Sequence, residues 1–95
     1  LVMELFDGQD LFDTLIKYDN GMPEDILKKV FRQVVVAVDA CHDLHIAHRD
    51  IKPENILISN NGDVKLIDFG MSVVCEPHRL LSSFVGSLEY CSPEV

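Results

Sequence analysis

Between Pro23 and Leu44, apolar residues recur every three or four positions: Ile26, Leu27, Val30, Phe31, Val34, Val35, Val38 and Cys41. That spacing predicts one helix with a wide buried stripe, so the rest of the chain has to supply something for the stripe to pack against. Pro23 suits a first helical turn, and Glu24 and Asp25 lie where the positive end of the helix dipole favours acids. The β-branched valines lower helix propensity, so burial rather than propensity must hold this element. A chain of 95 residues with 47% apolar and 25% charged residues makes one globular domain at most, or a piece of one.

Around that helix the pattern is mixed. Leu1 to Leu5 read as a strand, Phe6-Asp7-Gly8-Gln9 as a loop, and Asp10 as the cap of a short helix to about Tyr18, stopped by Asn20-Gly21. Beyond it, Ile46-Ala47 is a short extended piece and His48 to Asn55 is polar. Ile56-Leu57-Ile58 and Val64-Lys65-Leu66-Ile67 read as two strands joined at the hairpin signal Asn60-Asn61-Gly62-Asp63. From Asp68 to Pro93 no period dominates. The run at the start lacks a Met, and the chain stops at Val95 without a polar tail, so we expect a fragment with an incomplete core.

Charge and cysteine usage narrow the function classes. Eight Lys and Arg against 16 Asp and Glu give a net charge of −8, which disfavours nucleic acid or an anionic membrane as partner. The longest apolar run, Val34 to Val38, is far too short to span a bilayer. Cys41, Cys75 and Cys91 are odd in number and widely separated, so we expect reduced thiols in a cytoplasmic or nuclear protein.

The chemistry concentrates in His48-Arg49-Asp50-Ile51-Lys52-Pro53-Glu54-Asn55 and in Asp68-Phe69-Gly70. A hairpin returns its ends to one edge, so Asn55 and Asp68 are expected side by side. A carboxylate and an amide carbonyl are hard oxygen ligands, suited to Mg²⁺ with phosphate oxygens completing the shell. Asp50 then sits one loop away and Lys52 offers a mobile positive charge. Such a constellation fits phosphoryl transfer, where positioning and charge neutralisation supply most of the catalysis.

The order H-R-D-x-x-x-x-N, D-F-G and then Pro93-Glu94 resembles the eukaryotic protein kinases. The four fixed positions of the first motif alone match by chance at about 10⁻⁵ per starting position. The resemblance implies an α+β chain, a partial protein-kinase-like fold: hinge plus the first half of the mainly helical large lobe, through the activation segment. Its parts are a hinge at 1–10, a helical part at 10–45, a catalytic loop at 48–55, a metal-site hairpin and motif at 56–70, and an activation segment at 68–95.

The resemblance also implies roles. Asp50 looks like the aspartate that orients the substrate hydroxyl; a free carboxylate is a weak base, so orientation is its larger contribution. Lys52 is similar to the lysine that neutralises the transferred γ-phosphate of ATP, while Asn55 and Asp68 resemble the two Mg²⁺ ligands. Met3 takes the gatekeeper place, the backbone of Glu4 and Phe6 faces adenine, Leu57 lies under it, and Asp10 reaches towards the ribose. Glu54 lies among the nucleotide-side residues and could attract a basic residue of the substrate. Arg49 looks like the cation that pairs with a phosphorylated activation loop. Ser83, three residues before Gly86, matches an activating phosphosite of the calcium/calmodulin-dependent and AMP-activated group, which implies an upstream kinase.

Lys52 two residues after Asp50, and Gly86-Ser87 with Ser87 resembling the hydroxyl that touches the catalytic loop, follow the serine/threonine pattern. The implied activity is ATP-dependent phosphorylation of serine and threonine in proteins. Two alternatives stay open: a pseudokinase that binds or scaffolds, and a small-molecule phosphotransferase, which Lys52 and Phe69-Gly70 disfavour. We expect packing roles for His48 and Phe69, and no metal at His42, His45 and His78. The sequence contains no G-x-G-x-x-G loop, so the 95 residues by themselves are expected to be inactive.

Overall fold

The structure is a computed structural model, and it describes residues 2–76 together with Gly86, Ser87, Tyr90 and Ser92. The expectations placed on Ser83, His78, Cys91 and Pro93-Glu94 lie outside the described residues. Helix α2 runs Glu24–Asp43, close to the span that its periodicity predicts, with Pro23 as the residue before the first turn and Leu44 closing it. Helix α1 is Leu11–Leu15, shorter than expected; Asp10 caps it by accepting from the Asp13 N–H at 2.8 Å. The chain leaves α1 at Ile16, which is largely exposed, so no burial sustains the extra turn to Tyr18.

A three-stranded antiparallel sheet has the order β1 (Gly8–Asp10), β3 (Ile56–Ser59), β4 (Val64–Leu66). The hairpin forms in the register Ile56↔Leu66, Leu57↔Lys65, Ile58↔Val64. Two expectations at the start of the chain are corrected. Residues 2–7 carry no regular structure, and the strand is instead Gly8–Asp10, inside the segment read as a loop. The apolar run of residues 2–5 is almost fully exposed and meets no strand among the described residues, whereas Gly8 can approach β3 closely. A Cβ on Gly8 would stand 2.5 Å from the Ile58 carbonyl oxygen. Gly8→Ala should therefore push β1 away from β3 and lower stability by about 2 kcal/mol, read as a fall in melting temperature of the full-length protein's catalytic domain.

A second ribbon pairs β2 (Ile46–Ala47) with β5 (Val73–Val74), Ile46 opposite Val74. Two-residue strands are too short for a period to betray them, which is why β5 was not visible after Asp68.

The core consists of Leu11, Val30, Ile56 and Ile58, with Leu15, Met22, Val34, Val64 and Leu66 packed against it. Here the α2 stripe is corrected. Val30 is buried, but Ile26, Leu27, Phe31 and Val35 are exposed, Phe31 by 66%. Val30 and Val34 lie on one row of the helix, while Leu27, Phe31 and Val35 lie on the next row about 100° round it, at the same height along the axis. The sheet covers one row of the helix and leaves the neighbouring row bare. Among the described residues no helix is long and apolar enough to cross a membrane.

Candidate active site

The buried polar side chains among the described residues are His48, Asp50 and Asn55, all from one loop. Burying polar groups is costly unless they are paired, and each of these is. The Asp50 N–H donates to His48 Nδ1 at 3.1 Å, so the ring proton sits on Nε2, which donates to the Ile67 carbonyl at 2.8 Å. The Asn55 amide donates to the Asp50 carbonyl at 2.8 Å and to Asp50 Oδ2 at 3.1 Å. The Ile67 N–H in turn donates to the Asn55 carbonyl at 2.9 Å. His48 and Asn55 thus grip Ile67 from both sides, and Asp68 is the next residue.

Asp68 is exposed and left-handed, with φ of 59°. Arg49 is left-handed too, at 71°. Aspartate tolerates that region because its side chain can bond locally, and Asp68 Oδ1 accepts from the Gly70 N–H at 3.3 Å. Arginine has no such relief, and strain of about 1–2 kcal/mol there marks a position that the surroundings over-determine. The Arg49 Nε donates to the Met71 carbonyl at 2.6 Å, tying this loop to the segment after Gly70.

The Asp50 carboxylate is held on three sides. Besides Asn55, Ser87 donates from Oγ to Oδ1 at 3.0 Å, and Lys52 Nζ stands 3.9 Å from Oδ2. Lys52 also donates to Ser87 Oγ at 2.6 Å. Ser87 reaches this position because its neighbour Gly86 passes against the loop: with φ of 107°, a Cβ on Gly86 would stand 2.8 Å from the Arg49 carbonyl oxygen. The residues after the hairpin therefore fold back onto the loop at a point where only glycine fits.

The donor set suits a hard divalent cation. With its amide spent on Asp50, Asn55 Oδ1 accepts no hydrogen bond among the described residues, and neither does Asp68 Oδ2. Both are oxygen donors of the kind Mg²⁺ takes.

The remaining expected site residues are more dispersed. Leu57 is half-buried on β3, opposite Lys65. Met3 and Glu4 are exposed and Phe6 is half-buried in the irregular segment before β1; the Lys65 ammonium pairs with Glu4 and lies 5.7 Å over the Phe6 ring. The sequence reading missed this clasp, although Lys65 shares a strand face with Leu57. The Asp10 carboxylate is engaged as the α1 cap. Glu54 is exposed and its Oε1 accepts from the Tyr90 hydroxyl at 3.3 Å. Phe69, expected in the core, is instead 42% exposed, with the His48 ring packed edge-on against it at 4.7 Å. His42 and His45 join no cluster of metal ligands among the described residues. A cavity of about 950 Å³ between α2 and the β3–β4 turn is lined by Gln33, Ser59, Gly62 and Asp63, and by none of residues 48–55.

Asp50 is buried and braced by Asn55, Lys52 and Ser87, and Ile67, held by His48 and Asn55, lies one residue before Asp68. The family model for the protein kinase domain matches residues 1–95, and the chain belongs to that family. Within it, the chain is similar to serine/threonine kinases. It is 47% identical over 96 residues to the SNF-related serine/threonine-protein kinase of Homo sapiens, covering 100% of this chain and 12% of that protein. It is 43% identical over 95 residues to the probable serine/threonine-protein kinase MARK-C of Dictyostelium discoideum, again with 100% of this chain and 12% of the relative. It is 41% identical over 104 residues to the CBL-interacting serine/threonine-protein kinase 16 of Arabidopsis thaliana, with 99% of this chain and 22% of the relative. The chain thus spans about an eighth of the length of the first two of these relatives, and about a fifth of the third.

Proposed function

We propose that the full-length protein carrying these residues transfers the γ-phosphate of ATP to serine or threonine hydroxyls of proteins, with Mg²⁺. The observation that carries this reading is the buried Asp50 carboxylate, held by Asn55 and Ser87 with Lys52 beside it. Asp50 accepts a hydrogen bond from the substrate hydroxyl, aims its oxygen at phosphorus, and takes the proton as the new O–P bond forms. The β–γ bridging bond breaks and its electron pair leaves with ADP. Lys52 faces the transferred phosphoryl group and offsets its charge. Asn55 and Asp68 are the residues that would hold Mg²⁺, which when bound draws charge from the phosphate oxygens.

Met3, the backbone of Glu4 and Phe6, Leu57 and Asp10 form the nucleotide side. Glu54, exposed beside Tyr90, favours a basic residue in the substrate. Arg49 has donors beyond its Nε to meet a phosphate on Ser83, placed there by an upstream kinase. Cys41 and Cys75 are free thiols, which supports a reducing compartment, cytoplasm or nucleus.

The 95 residues by themselves do not transfer phosphate on this reading: the apolar row of α2 is bare and the phosphate-covering glycine loop is missing from the sequence. The test is to incubate the full-length protein with γ-labelled ATP, Mg²⁺ and a mixed peptide library, then identify the modified residues. Phosphoserine and phosphothreonine are expected. Phosphotyrosine alone, or label in no peptide, contradicts the reading.

A further inference from the structure

The side chain of Gln33, in the middle of α2, spends both ends of its amide on the β3–β4 turn. Its Nε2 donates to the Gly62 carbonyl at 2.8 Å, and its Oε1 accepts from the Val64 N–H at 3.0 Å. A carbonyl and an N–H two residues apart are what a neighbouring strand would pair with, and β4 is an edge strand. Gln33 therefore stands in for the missing strand and fastens the start of β4 to the helix. Val34, next in sequence, packs against the core beside Val64 and Leu66, so the fastening is backed by apolar contact.

The far end of β4 is the metal-site end. The strand has three residues, and one step beyond it Ile67 is gripped by His48 and Asn55 before the chain turns left-handed at Asp68. A strand this short has little of its own to fix its register, and a slip of one residue would move every side chain to the other face. We propose that Gln33 is a positioning residue for Asp68: by pinning the edge of β4 at its start, it keeps the Asp68 carboxylate aligned with Asn55 for the cation. The inference rests on the reading of Asn55 and Asp68 as the Mg²⁺ pair.

The test uses the full-length protein and two readouts: calorimetric Mg²⁺ binding in the presence of a non-hydrolysable ATP analogue, which should weaken in step with the midpoint, and Mg²⁺ titrations of peptide phosphorylation, with rates normalised to the folded, nucleotide-binding fraction. Gln33→Leu keeps the approximate bulk and removes both hydrogen bonds to the turn, along with the longer 3.4 Å one to the Lys29 carbonyl within α2. The Mg²⁺ concentration for half-maximal rate should rise about fivefold, with the peptide KM unchanged and kcat at saturating Mg²⁺ within about twofold of wild type. A merely structural role would lower the active fraction and leave that midpoint alone. Gln33→Glu keeps the acceptor for Val64 and loses the donor to Gly62, so a smaller rise, about twofold, is expected; it also serves if the leucine variant does not fold. An unshifted midpoint in a folded variant overturns the inference while wild type remains Mg²⁺-dependent. A wild-type protein active without any divalent cation overturns the reading beneath it as well.

Discussion

Asp68→Asn in the full-length protein should lower kcat/KM for peptide phosphorylation about 10³-fold while leaving the fold in place. The substitution is unusually clean. Asparagine tolerates the left-handed backbone that Asp68 adopts, and its carbonyl can still accept from the Gly70 N–H. The side chain is exposed, so no buried partner is orphaned. What disappears is one negative charge, which on the proposed function would face Mg²⁺, and with it would go several kcal/mol of transition-state charge stabilisation. Steady-state kinetics alongside a melting curve check both halves. A loss smaller than about threefold, with an unchanged melt, would remove Asp68 from the metal site.

Asp50→Asn should cost about 10³-fold in kcat while nucleotide affinity changes by less than about twofold. The carboxylate accepts from Asn55 on one oxygen and from Ser87 on the other. An amide at that place must turn a donor toward one of those donors or toward Lys52, so an extra stability loss of about 1–3 kcal/mol is expected. The proposed function assigns nucleotide binding to other residues, so a Kd for ATP that tracked the fall in kcat would contradict the role given to Asp50. Comparing kcat with a directly measured Kd separates the two.

Much of this site was legible before any coordinates. Asp50, Lys52 and Asn55 fall within one loop, where residue type and close spacing make their contacts legible, whereas Ser87, 37 residues beyond Asp50, was reached only through the family resemblance. The existence of the hairpin was legible from the turn signal Asn60 to Asp63, and α2 from its period. The misreadings share a cause, which is that sequence periodicity shows which face is apolar without showing what lies opposite. Leu27, Phe31 and Val35 belong to a row of α2 that the sheet leaves bare. Val2 to Leu5 have strand composition but no strand beside them among the described residues, and Gly8 pairs with β3 because it lacks a side chain, a property that reads as a turn in isolation. Gln33 was invisible because a glutamine on a helix reads as solvated surface until the turn that it bonds is in place.

The most direct measurement is a crystal structure of the full-length protein with Mg²⁺ and a non-hydrolysable ATP analogue. Asn55 Oδ1 and an Asp68 carboxylate oxygen are each expected within about 2.1 Å of a Mg²⁺ ion bridged to phosphate, with Asp50 open to the acceptor side. A metal held by water and phosphate alone, with Asn55 or Asp68 turned away from it, would contradict the central claim.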